Sequence, residues 1–89
     1  MKTTEETDRG TKREVQEPAK VMVLNDPYNT FNYVVDTFQR ILAKDEEWCW
    51  VKAYEIHNNE RAIVFEGHLE RAEFICEQLL RAELGALIV

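Results

Sequence analysis

With 89 residues, 45% of them hydrophobic and only three glycines and two prolines, the chain has material for one small α/β domain and none for a second. A formal charge of −6 argues against nucleic acid or an anionic membrane surface as partner, because both select for clustered Lys and Arg. No apolar run approaches the ~20 residues of a membrane span, no signal peptide is visible, and two cysteines without a CxxC predict buried thiols in a reducing compartment rather than a disulfide framework.

In chain order, the polar start, in which Lys2 to Lys20 holds five basic and five acidic side chains, reads as a disordered arm over residues 1–19. Its acidic residues make it a poor transit peptide. The folded domain is expected over 20–89, and residues 21–89 carry the whole net charge, six basic against twelve acidic side chains. Lys20 to Leu24 is rich in valine and reads as a short strand, halted where Pro27 lacks an amide donor and restricts Asp26. Phe31, Val34, Val35, Phe38, Ile41 and Leu42 then recur on one helical face, with Asn29 or Thr30 as the N-cap. Asp45 caps a second predicted helix, which reaches about Ile56 or His57 before Asn58-Asn59. Ala62 to Phe65 is partly β-branched and reads as a central strand. Leu69, Ala72, Cys76, Leu79 and Leu80 mark a third helix, with Gly85 as its stop and Ala86 to Val89 as a last strand. The expected fold is α+β, a small three-stranded antiparallel sheet packed against three helices in the order β-α-α-β-α-β.

Few residues are able to carry chemistry. A nucleophile pair of Cys49 and His57 fails on geometry, since eight residues along a helix span ~12 Å. Two His and two Cys without ligand spacing make no zinc site, so neither metal nor cofactor is expected. Glu66, Glu70, Glu73 and Glu77 read as a solvated acidic face or a binding face. Trp48, Trp50 and Tyr54 are aromatic residues that need a home. Asn25-Asp26-Pro27, alone, is a turn.

The order of these features is more specific than any one of them. Val23-Leu24-Asn25-Asp26, Tyr28, Val34-Val35, His57, Glu70 and Ala72-Glu73 together resemble the ClpS family, over roughly residues 20 to 89. Members of that family are adaptors, not enzymes, that hand N-degron substrates to the bacterial or plastid Clp protease. The resemblance implies a pocket in which Asn25, Asp26 and His57 bind a substrate's free α-amino group, with Leu24, Phe31, Val34, Ala53, Ile56 and Ala86 around its bulky apolar side chain. It implies a docking surface, including Glu70 and Glu73, for the N-terminal domain of a ClpA- or ClpC-type Hsp100 unfoldase, and a monomer in the cytoplasm or plastid stroma.

The residue types suit the implied task. A terminal amino group is mostly cationic at neutral pH and offers three donors, so it needs several acceptors. Departures from the family's common pattern point to altered specificity: Pro27 where many members have a second acidic residue, Phe31 where a Met is common, Lys52-Ala53 for a Leu-Met pair, Ala86 for a larger wall residue, and Ile75 for a basic docking position. The competing reading is a generic docking module similar to the C-terminal domain of the ribosomal stalk protein, indifferent to a peptide's first residue.

Overall fold

The computed structural model describes residues 17–89. Strand β1 (Ala19–Leu24) leads into helices α1 (Phe31–Leu42) and α2 (Glu46–Asn59), then strand β2 (Arg61–Gly67), helix α3 (Leu69–Arg81) and strand β3 (Gly85–Ile88), which is the expected element order. The strands form one antiparallel sheet ordered β2-β1-β3. Central position therefore belongs to β1 and not, as expected, to the strand containing Ala62–Phe65. The misplacement has a simple cause: the helices cover one face of the sheet, so alternating burial at Ala62 and Val64 reports an inward face, which an edge strand shares with a central one.

Period-two alternation puts Ala19, Val21 and Val23 on the inner face of β1, each almost without exposed surface. Phe38 from α1, Cys49 from α2, and Ile75 and Leu79 from α3 close over them to form the core. Burial of Ala19 and its pairing with Gly67 extend the folded domain back past the expected boundary at residue 20. Glu17 is engaged too, its Oε2 accepting from the Leu69 amide at 2.9 Å and its Oε1 lying 3.2 Å from His68 Nδ1. It thereby supplies the N-terminal acceptor that His68, the N-cap of α3, does not. Residues 1–16 of the expected arm lie outside the described residues.

Helix starts follow local chemistry. The Thr30 hydroxyl accepts from the Tyr33 amide and the Asp45 carboxylate from the Trp48 amide, at 3.1 and 2.8 Å. Helix ends depart from expectation. α2 continues to Asn59 and stops on Glu60 in the left-handed region, φ 73°. α3 stops at Arg81, well short of Gly85. Its turn is closed by Ala82 and Leu84 amides donating to the Gln78 and Leu79 carbonyls, with Glu83 left-handed at φ 68°, so Gly85 is free to open β3. Cys49 and Cys76 are free and buried, as expected.

Candidate functional site

Where β1 runs out, α1 begins and α2 ends, a cavity of about 530 Å³ opens to the surface. Asn25 is placed there by its own backbone: its amide donates to the Glu60 carbonyl at 2.9 Å, tying the end of the central strand to the C-terminus of α2, where His57 stands one turn earlier. Asn25 and His57 therefore line the same cavity from opposite elements.

The loop between β1 and α1 is built around Asp26. Its Oδ1 accepts from the Tyr28 and Asn29 amides at 2.8 and 2.9 Å, and its Oδ2 accepts from Asn29 Nδ2 at 3.0 Å. Burial pushes this carboxyl's pKa up, but the hydrogen bonds from Asn29 and Tyr28 outweigh it and leave the group below the ordinary aspartate value. The expected role of Asp26 as a direct acceptor is thus qualified: three donors already occupy it, so its first task is to hold the loop, and its negative charge remains beside the cavity.

Asn29, which sequence reasoning weighed only as a helix cap, is the hub of this arrangement. Its Nδ2 also donates to the Glu83 carbonyl at 3.1 Å, and the Tyr33 hydroxyl donates to the Ala82 carbonyl at 2.7 Å. Together they clamp the α3–β3 turn against the loop and the first turn of α1. They bring in Leu84, 3% exposed, as a wall residue that the sequence did not reveal. Leu84 and not Ala86 lines the cavity. Ala86 pairs with Val23 and packs on the core, because the left-handed turn at Glu83 directs the chain inward one step before β3 starts.

The remaining expected wall residues do converge. Leu24, Phe31, Val34, Ala53 and Ile56 line the cavity, joined by Val23 and by Pro27 and Thr30 of the loop. Ala53 is 4% exposed and its small side chain leaves the floor open between α1 and α2. Phe31 leans on α2, its ring 5.3 Å from His57 and 4.9 Å from Tyr54 between centroids.

Glu70 and Glu73 are exposed on α3, an element that contributes no residue to the cavity. Ile75, aligned by the resemblance with a basic docking position, is 2% exposed and belongs to the core, so it takes no part in a surface of α3. Burial raises both thiol pKa values, helped at Cys49 by the nearby Asp45 and Glu46 carboxylates, so neither cysteine is a ready thiolate. Among the described residues no three His, Cys, Asp or Glu side chains gather to hold a metal ion. No helix of the described residues is long and apolar enough to cross a membrane.

Comparison with known proteins adds a family to this geometry. Residues 14–85 match the family model described as "ATP-dependent Clp protease adaptor protein ClpS". The ClpS adapter of Thermosynechococcus vestitus is 39% identical over 66 residues, covering 73% of this chain and 70% of that protein. The adapter from Nostoc sp. is 34% identical over 82 residues, covering 91% and 84%. In fold the chain is similar to Agrobacterium tumefaciens ClpS2 bound to L-phenylalaninamide, with a TM-score of 0.74 over 80% of this chain and 93% of that one at 21% identity.

Proposed function

This chain belongs to the ClpS family of Clp protease adaptor proteins, which are not enzymes, and from that premise we propose that its cavity receives the free N-terminal residue of a substrate. The observation that carries the proposal is the convergence of Asn25 and His57, two polar groups from separate elements, at the mouth of a cavity floored by apolar side chains.

The chemistry is that of a small cation with an apolar tail. The Asn25 side-chain oxygen and a His57 ring nitrogen accept from the substrate's ammonium group, directly or through water, and the Asp26 charge offsets its loss of hydration. The side chain descends among Leu24, Val34, Ala53, Ile56 and Leu84. Burying a Leu or an aromatic ring there contributes about 1.5–3 kcal/mol, and each hydrogen bond to the charged amino group about 1.5–3 kcal/mol. The apolar term is the same for a terminal and an internal Leu; the amino-group term singles out the terminus, and together they select a bulky first residue. The phenylalaninamide held by the Agrobacterium protein is a molecule of this class, with a free amino group and a bulky ring. Exposed Glu70 and Glu73 form the docking face for the N-terminal domain of a ClpA- or ClpC-type unfoldase, and the adaptor works as a monomer in the cytoplasm or plastid stroma.

The test is fluorescence anisotropy with peptides that vary only at residue one, namely Leu, Phe, Tyr, Trp, Val and acetylated Leu. Free Leu and aromatic termini are expected to bind and acetylated Leu to fail. Equal binding of Leu and acetylated Leu ends this reading and favours a docking module indifferent to the first residue.

A further inference from the structure

Beside the cavity lies an aromatic surface of which the binding of one terminal residue uses only the edge. Trp50, Tyr54 and His57 follow each other along α2 at spacings of four and three residues, which puts them on one face of the helix. Phe31 packs on this row, its ring centroid 6.1 Å from Trp50, 4.9 Å from Tyr54 and 5.3 Å from His57. Tyr54 is 53% exposed. The Trp50 indole N–H donates to Glu46 Oε2 at 3.3 Å, which sets a carboxylate at the ring's edge. Because Phe31 and His57 also line the cavity, the aromatic surface starts at the cavity's mouth.

Other rings of the same chain indicate what such a surface holds. Trp48 has the Lys44 and Lys52 ammonium groups over it at 5.3 and 5.7 Å, and Phe74 has the Arg71 guanidinium at 5.9 Å. Among the described residues no Lys or Arg covers Phe31, Trp50 or Tyr54 in this way. An open ring face with a carboxylate beside it attracts a cation, and a planar guanidinium more than an ammonium.

Resting on the reading of the cavity as the seat of a substrate's first residue, we infer that the Phe31–Tyr54–Trp50 surface is a second subsite for a cationic side chain, Arg above Lys, at substrate position two or three. Lengths agree with this. From His57 back to Trp50 the helix rises about 10 Å, the span of roughly three extended residues. A substrate anchored by its amino group near His57 brings its second residue beside Tyr54 and its third between Tyr54 and Trp50.

Anisotropy titrations of the full chain with Leu-initiated peptides carrying Arg, Lys, Ala or Glu at position two, and a second set varied at position three, each free and acetylated, decide the matter. Arg is expected to bind about three- to ten-fold tighter than Ala. Within Tyr54→Ala and Trp50→Ala that Arg-to-Ala ratio should fall below about two, and it should narrow in Glu46→Gln, where the ring stays and the charge goes. A ratio near one in the unmodified chain, or one that survives both ring substitutions, overturns the subsite while leaving the seat of the first residue standing. Equal binding of free and acetylated peptides instead overturns the cavity reading and the subsite with it.

Discussion

The loop that borders the cavity and the outer face of α3 are both polar, yet they are built on opposite plans. In the loop, Asp26 and Asn29 share four hydrogen bonds with one another, Tyr28 and Glu83, so each polar side chain has an assigned place. On α3, Glu70 and Glu73 stand in solvent, and the ion pair formed by Glu77 is with Arg81, an exposed contact one turn away. A geometric site needs the first kind of polarity and a charged docking face needs only the second. Substitutions should therefore act through shape in one region and through charge in the other.

The largest expected effect is at Asp26. Asp26→Ala removes the acceptor for three donors and frees the loop, so binding of Leu-initiated peptides should fall by ten-fold or more, about 1.5–3 kcal/mol, in anisotropy titrations. Retained affinity would show that the loop keeps its shape without the Asp26 carboxylate. Because the Asp26 pKa is depressed on folding, the stability it contributes is present above the unfolded value and is lost as pH falls through the lower, folded one. The Tyr28 and Asn29 amide signals should accordingly hold their neutral-pH positions below the ordinary aspartate value of ~3.9 and shift only in stronger acid. A midpoint at or above that value would contradict the hydrogen-bonded carboxylate.

Next in size comes the cavity floor. Ala53→Met adds volume beside Ile56 and Val34, and should weaken aromatic termini by about 1–2 kcal/mol while leaving Val-initiated peptides less affected. An unchanged ranking of first residues would remove Ala53 from the specificity wall. On the other side of the comparison, Glu70→Lys with Glu73→Lys should leave peptide affinity alone and alter stability by no more than about 0.5 kcal/mol. The same pair should weaken capture of an unfoldase N-terminal domain, and more so at low salt. A loss of peptide binding in that variant would mean that the two regions are coupled. The smallest effect is inside α1, where the Thr37 hydroxyl is buried without a hydrogen-bond partner among the described residues. Thr37→Val keeps the shape and removes the orphan group, and should raise stability by about 1 kcal/mol in a denaturant titration.

Much of the fold could be read along the chain because its signals are local. The apolar face from Phe31 to Leu42, the Asp45 cap and the alternation of β1 each involve residues within a few positions of one another. Both polar mouth residues, Asn25 and His57, and five of the six wall residues that the family resemblance implied line the cavity, although nothing in their spacing says that an amide of the strand end bonds to Glu60.

The misreadings share a different character. Ala86 was expected at the wall and Leu84 lines it, β2 was expected in the centre and lies at the edge, and Asp26, expected as an acceptor for the amino group, also holds the loop. Each turns on a contact between distant segments: the left-handed turn at Glu83, the pairing of β1 with both other strands, and the bond from Asn29 to the turn fifty-four residues on. Hydrophobic period and capping chemistry act over a single helical turn or strand, so the amino-acid order was enough to state the elements, and the family resemblance supplied the residue types at the cavity. Which side chain closes a wall, and which carboxylate is already spoken for, depends on register and turn geometry between elements, and those were decided only when the chain packed.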